Sequence, residues 1–156
     1  IGLMEAGMRF EEFIKFYNEI YKAGNRIYHA FALKCGLSDS ALAIMYELRM
    51  EGQDGITQRD LGTMLSISKQ TVNSSTKSLS DMGFVELKDG KDDKREKAVA
   101  LTAKGENFCI EKIDRIIKAE ERAFCRLTIE EARALISAEK KYYEYFLEES
   151  KKAMEN

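Results

Sequence analysis

Aromatic and aliphatic residues recur every three or four positions through the first third of the chain, which predicts a long amphipathic helix ending near Gly36. Its apolar positions are Phe10, Phe13, Ile14, Tyr17, Ile20, Tyr21, Ile27, Tyr28 and Phe31. Ser38 is placed to cap a second helix, which carries Leu42, Met45 and Leu48 on one face and ends near Gly52. The chain has no proline, so its composition permits long helices.

The last third of the chain repeats this helical spacing. Thr102 is the expected N-cap of a helix that carries Ile113, Ile116, Ile117 and Phe124. Thr128 and Glu131 have the spacing of a capping box at the start of a final helix. The apolar positions of that helix are Ala132, Leu135, Ile136, Tyr143, Phe146 and Leu147.

Between these segments the pattern shortens to a helix, a tight turn and a second helix. Thr57 is the N-cap of the first, whose apolar residues are Leu61, Met64 and Leu65. Ser66 and Ile67 form the turn, and Ser68 caps the second helix. The buried side of that helix is predicted to hold Val72, Leu79 and Met82, with the small residues Ser75 and Thr76 between them. Gly83 is the expected left-handed residue after it.

The opposite side of the second helix is rich in hydrogen-bonding groups. Two lysines and no acidic residue lie between Ser66 and Ser80, although the whole chain has a net charge of −2. Asn and Gln can make paired hydrogen bonds to adenine, Lys reaches guanine or phosphate, and Ser and Thr serve either. The candidate DNA-contacting residues of this helix are Ser68, Lys69, Gln70, Thr71, Asn73, Ser74 and Lys77.

A hairpin with a charged tip follows. Residues 84–88 and 98–102 are predicted strands, and residues 89–97 connect them. A charged loop of this kind is often only a solvated turn. Directly after a helix-turn-helix, it is better interpreted as a wing that places a cation in the minor groove. The candidate contacts there are Lys91, Lys94, Arg95 and Lys97.

These residues, in this order, resemble the multiple-antibiotic-resistance regulator (MarR) family of bacterial transcription factors. The shared motifs are Thr57-x-x-x-Leu61, Ser68-x-x-Thr71-Val72, Leu79-x-x-x-Gly83-Phe84-Val85, Asp93-x-Arg95 and Leu101-Thr102-x-x-Gly105. The resemblance implies that Arg95 contacts the minor groove and that Asp93 holds Arg95 through an ion pair. The family often has Arg or another large polar residue where this chain has Ser74, so the bases that are read are left open.

The sequence therefore predicts a mainly α-helical fold with a small β-hairpin wing. Residues 37–102 form the winged helix-turn-helix that binds DNA, and residues 8–36 and 103–150 form a helical dimerisation region. One alternative is that the terminal helices pack on each other within one chain. A twofold dimer is favoured because two recognition helices then meet successive major grooves about 34 Å apart, and the family resemblance implies the same.

Other classes of function have little support. No glycine-rich phosphate loop or catalytic Ser-His-Asp or Cys-His arrangement is present, so an enzyme is not expected. No apolar run approaches the length of a membrane span, and no secretory signal is visible, so a cytoplasmic protein is expected. Neither a metal nor a cofactor is expected, because His29 is the only histidine. Redox sensing through Cys35, Cys109 or Cys125 remains an alternative.

A small aromatic ligand is a further expectation, supplied by the family resemblance. The candidate pocket lies where the dimerising helices meet the DNA-reading part, and its residues are Tyr17, Tyr21, Tyr28, Met45, Tyr46 and Arg49. Arg49 is placed to offer a charge to an aromatic acid. The same residues would also make an ordinary core.

The sequence predicts a transcriptional regulator, and repression is its expected mode of action. It would bind pseudo-palindromic duplex DNA as a homodimer and respond to a small ligand. The alternative from another class is a winged helix that docks a protein partner. Such a surface more often presents an aromatic or apolar anchor than an array of Lys, Gln, Asn and Ser.

Overall fold

A computed structural model describes residues 7–52, 54–89 and 97–155 of the chain. It divides into two compact units, residues 1–114 and 115–156. The predicted fold class is confirmed, since the described residues are mainly helical with one small antiparallel sheet.

The first unit holds the helix-turn-helix and the sheet. Its elements are α1 (Phe10–Cys35), α2 (Asp39–Glu51), β1 (Ile56–Thr57), α3 (Gln58–Leu65), α4 (Lys69–Asp81), β2 (Val85–Asp89), β3 (Lys97–Leu101), α5 (Ala103–Phe108) and a π-helical turn (Cys109–Ile113). Helix α6 (Asp114–Phe124) begins at the last residue of this unit. The second unit also contains α7 (Ile129–Met154).

The predicted helix starts are confirmed by side-chain caps. Ser38, Thr57, Ser68 and Thr102 each accept a hydrogen bond from the backbone N–H three residues later, at 3.0–3.2 Å. Thr128 forms the complete capping box, because the Glu131 carboxylate also accepts from the Thr128 N–H at 2.8 Å. These caps satisfy donors that the first helical turn leaves without partners.

The sheet is antiparallel with the order β1–β3–β2. Strand β1 was not predicted, because two residues are too short to show a periodic pattern. The hairpin strands lie one residue from their predicted positions, at 85–89 and 97–101, and Asp89 pairs with Lys97 at the end of the ladder. Gly105 fixes the exit from β3, since a Cβ there would lie 2.0 Å from the Phe84 carbonyl oxygen.

The core of the first unit joins α2, α3, α4 and β3. Its fully buried side chains include Ile44, Leu48, Leu61, Leu79 and Val99. The expected burial of Met82 was wrong, because its side chain is exposed, and Met64 is exposed as well. Met64 lies in the last turn of α3, and Met82 is the residue at which the chain leaves α4, so neither faces the core.

The two long terminal helices expose their apolar faces in the single chain. In α1 only Ala32 is buried, and the exposed large side chains include Phe10, Phe16, Ile20, Tyr21, Ile27 and Leu33. In α7 none of the 26 residues, all of them described, is buried. Its exposed large side chains include Leu135, Ile136, Tyr143, Phe146 and Leu147. Apolar surface of this extent is typical of an interaction face.

Candidate nucleic-acid interface

Helix α4 is fixed to the rest of the unit along one side. Val72 and Leu79 are fully buried, and Ser75 and Thr76 are small enough to be buried beside them. The Ser75 hydroxyl forms a 2.7 Å hydrogen bond with the Ser40 hydroxyl of α2. Packing of this kind compensates for the poor helix propensity of a segment rich in Ser, Thr and Asn. The position of the opposite face is therefore set by the core.

That opposite face carries the predicted DNA-contacting residues of α4. Lys69, Gln70, Asn73, Ser74 and Lys77 are all exposed. Within the described part of the chain, the side chains of Lys69, Gln70, Asn73 and Lys77 make no hydrogen bond or ion pair with the protein. Their donors and acceptors are therefore available to base edges and phosphates.

The hydroxyl residues of α4 are engaged within the helix. The Ser68 and Thr71 side-chain oxygens lie 2.8 Å apart, and the Ser74 hydroxyl donates to the Thr71 carbonyl oxygen at 3.1 Å. Thr71 is only partly exposed. Ser68, Thr71 and Ser74 thus shape the start of the helix, and Gln70 and Asn73 are the better placed for base contacts.

The described part of the wing ends in an ion pair. The Lys97 ammonium group donates to the Asp89 carboxylate across the last residue pair of β2 and β3. Lys97 was predicted to contact DNA, but in this arrangement its charge is balanced by Asp89. Lys91, Asp93, Lys94 and Arg95 lie outside the described residues, so their contacts stay predictions.

A basic residue that the sequence reasoning omitted lies near Lys97. Arg59, Thr57, Gln58 and Lys97 line a small cleft of about 140 Å³ at the start of α3. The Arg59 side chain is exposed, and its Nε lies 3.8 Å from the Asp60 carboxylate. The sequence could have indicated Arg59 as a DNA contact. It lies two positions after the N-cap Thr57, where helix N–H groups also attract anions.

A cavity of about 240 Å³ lies beside α2. It is lined by Tyr28, Asp39, Leu42, Ala43, Tyr46 and Glu47. Tyr28 and Tyr46 were predicted pocket residues, and the structure brings them together there. Tyr17 and Tyr21 of α1 do not line this cavity. Met45 is corrected to a core residue, because its side chain is fully buried on the inner side of α2.

Arg49 is also corrected, because two carboxylates already engage its guanidinium group. Nε and Nη2 donate to the two Asp114 carboxylate oxygens at 2.8 and 2.9 Å, and Nη1 donates to Glu106 at 3.2 Å. The predicted role for Arg49, a free charge for an aromatic acid, does not fit this geometry. Its role here is to tie α2 to α5 and to the start of α6.

The substitution Arg49→Lys is expected to lower the free energy of unfolding by about 1–2 kcal/mol, because an ammonium group cannot make the paired bonds to Asp114. Urea denaturation at a fixed protomer concentration measures the change. The matched control is Arg59→Lys at the exposed pair with Asp60, which should change stability by less than about 0.5 kcal/mol. Equal effects of the two substitutions would contradict a structural role for Arg49.

Cys35 and Cys109 lack the environment of an activated thiol. Burial raises the pKa of Cys109 to about 12, against a lowering effect of Arg49. Burial also raises the pKa of Cys35, although Lys112 opposes this shift. Both thiols are therefore held protonated at neutral pH, which disfavours the redox-sensing alternative at these two positions. Cys125 is exposed.

In the native protein, Cys109 is expected to resist alkylation by iodoacetamide at pH 8 and to react fully only in urea. The reason is that the thiolate is the reacting species and the side chain has no exposed surface. Mass spectrometry of digested protein, with exposed Cys125 as the internal control, measures this. Labelling of Cys109 at the rate of Cys125 would show that the thiol is accessible and ionised.

His29 pairs with a carboxylate. Its Nδ1 lies 2.8 Å from one Asp39 oxygen and 3.1 Å from the other. Among the residues that the structure describes, no three His, Cys, Asp or Glu side chains converge as metal ligands would. No described helix is long and apolar enough to span a membrane.

Known proteins share this sequence pattern and this fold. The MarR family profile matches residues 36–96, which include α2, α3, α4 and β2. An uncharacterized HTH-type transcriptional regulator of Bacillus subtilis, YwoH, is 35% identical over 86 residues. The match covers 55% of this chain and 61% of YwoH. The segment of residues 36–96 is therefore similar to the MarR family.

Solved structures of low sequence identity show the same fold. The MarR family regulator NMB1585 of Neisseria meningitidis superposes with a TM-score of 0.72 at 21% identity, over 90% of this chain and 96% of its own. The MepR–DNA complex of S. aureus superposes with a TM-score of 0.72 at 16% identity, over 88% of this chain and 96% of that one. The fold of this chain is therefore similar to that of these two solved structures.

Proposed function

We propose that this protein is a transcriptional regulator of the MarR family that binds duplex DNA sequence-specifically. The observation that carries the proposal is the exposed face of α4, where Lys69, Gln70, Asn73 and Lys77 have no partner among the described residues. These side chains match the donor and acceptor patterns of the major groove. The MepR structure of similar fold is a complex with DNA.

The protein acts as a homodimer in this proposal. Residues 37–102 bind DNA, and residues 8–36 and 103–150 form the dimerisation region. The exposed apolar faces of α1 and α7 support this division, because a second copy offers the same faces in return. Two copies also read the two halves of a pseudo-palindromic site. Binding at a promoter would repress transcription by blocking access to it.

A small ligand changes the affinity for DNA in the same proposal. The cavity lined by Tyr28 and Tyr46 supports it, since concave sites with aromatic walls are the common form of ligand pocket. A ligand alters the DNA affinity only as far as it binds one spacing of the two recognition helices better than another.

Fluorescence anisotropy with labelled duplex DNA tests the DNA-binding function. The affinity is expected to fall steeply as salt is raised, because Lys side chains displace counterions from phosphates. Protein bound to its specific duplex should also remain bound when an excess of unrelated DNA is added. A protein that binds no duplex at low salt would instead favour a winged helix that docks another protein.

A further inference from the structure

The charge of the cavity beside α2 is opposite to that expected for a pocket that takes an aromatic acid. Its lining has two carboxylates, Asp39 and Glu47, together with Tyr28, Tyr46, Leu42 and Ala43. None of these lining residues, all of them described, is basic. Two carboxylates close to a partly enclosed apolar volume repel an anion and attract a cation.

Glu47 is the lining residue whose ionised form a cationic ligand would stabilise most. No described residue forms a hydrogen bond or an ion pair with its carboxylate. Burial raises the pKa of Glu47, and the neighbouring Glu51 raises it further. The ionised form is therefore disfavoured by both its surroundings and its neighbour, and a positive group in the cavity would relieve both effects.

Asp39 is held in a fixed position at the cavity wall. It is the first residue of α2, where the helix dipole favours a negative charge. Both of its oxygens approach His29 Nδ1, at 2.8 and 3.1 Å. Because this contact restrains the carboxylate, Asp39 presents a positioned negative group and not a freely rotating one.

The aromatic lining adds to the attraction for a cation. Tyrosine ring faces carry negative potential and bind ammonium groups within about 6 Å. Arg49, the basic residue of α2, pairs with Asp114 and Glu106 and does not line the cavity. Aromatic rings, apolar side chains and two carboxylates, of which Glu47 has no partner among the described residues, therefore occur together at this cavity.

We propose that this cavity binds a cationic aromatic amine, with its ring between Tyr28 and Tyr46 and its ammonium group at Glu47 and Asp39. Binding of such an amine regulates the DNA complex, and that second step alone rests on the proposed function. An aromatic carboxylate of the same size is excluded from the cavity by the same two side chains.

Isothermal titration calorimetry of the full chain with three probes of matched size tests the site. The probes are tyramine, which is cationic, tyrosol, which is neutral, and 3-(4-hydroxyphenyl)propionate, which is anionic. Tyramine is expected to bind at least roughly tenfold more tightly than the propionate, because it gains a charged hydrogen bond that the anion cannot make. This ranking needs no variant and is independent of any loss of folding.

The substitution Glu47→Gln keeps the shape of the side chain and removes its charge. It should weaken tyramine roughly tenfold and leave tyrosol unchanged. The matched control is Glu19→Gln, which removes the same charge from an exposed residue of α1 that does not line the cavity. Absence of tyramine binding, equal or tighter binding of the propionate, or equal effects of the two substitutions would overturn the site.

Anisotropy of the DNA complex then separates this inference from the proposed function. Tyramine should shift the DNA affinity of the unmodified protein at least threefold and that of Glu47→Gln by less. If tyramine binds but leaves the DNA affinity unchanged, the regulatory step is wrong. If no DNA is bound even without probe, the proposed function fails, while the calorimetric ranking still decides the cavity.

Discussion

The substitution Ile136→Glu on α7 is expected to convert the proposed homodimer to a monomer and to weaken binding to a two-half-site DNA roughly 100-fold or more. Ile136 belongs to the exposed apolar stripe of α7 with Leu135, Tyr143 and Phe146. A partner helix would bury this stripe, and a carboxylate there would lose its water without gaining a cation. The second recognition helix would then no longer be held at the DNA.

Light scattering measures the mass of the assembly, and anisotropy measures the DNA affinity of the same sample. The unmodified protein should give twice the chain mass of 17.8 kDa at micromolar concentration, and Ile136→Glu should give 17.8 kDa. The matched control is Ser137→Glu, which adds the same charge at an exposed position on the other side of the helix. A dimer that tolerates Ile136→Glu would place the interface elsewhere.

Alanine at Gln70 or Asn73 is expected to lower the affinity for the cognate site by roughly 1–3 kcal/mol each and to relax the preference at one base position. Both side chains are exposed on α4, and neither has a protein partner among the described residues. Their loss should therefore remove the proposed contacts to DNA without disturbing the core of the unit.

Affinities for the site and for its single-base variants separate base readout from phosphate contact. Lys77→Ala is the comparison, since loss of a phosphate contact should weaken all sequences alike and reduce the salt slope by about 1. If Gln70→Ala and Asn73→Ala also weaken all sequences equally, these residues bind the backbone and the bases are read by other side chains.

The starts of five helices could be predicted from short-range chemistry. Ser38, Thr57, Ser68, Thr102 and Thr128 are caps whose effect depends on the next three residues, and all of them were predicted correctly. Strand β1 was missed because its two residues are defined only by pairing with Val99 and Ala98, far along the chain.

The candidate pocket could be predicted only in part, for the same reason. Periodicity placed Tyr28 and Tyr46 on helices, but Arg49 pairs with Asp114, which is 65 residues away. Met45 and Tyr46 are adjacent in sequence, and only the tertiary packing decides that the first is buried and the second lines a cavity. Contacts between distant segments determine the charge of the site, and no local pattern contains them.

Selection from a random pool of duplex DNA tests sequence-specific binding by a dimer most directly. The unmodified protein should enrich an inverted repeat whose half-site centres lie about 10 base pairs apart, one helical turn of DNA. The Gln70→Ala variant, selected in parallel, should lose the preference at the same position in both halves. Recovery of no common sequence, or of a single half-site without a repeat, would contradict specific recognition by a twofold dimer.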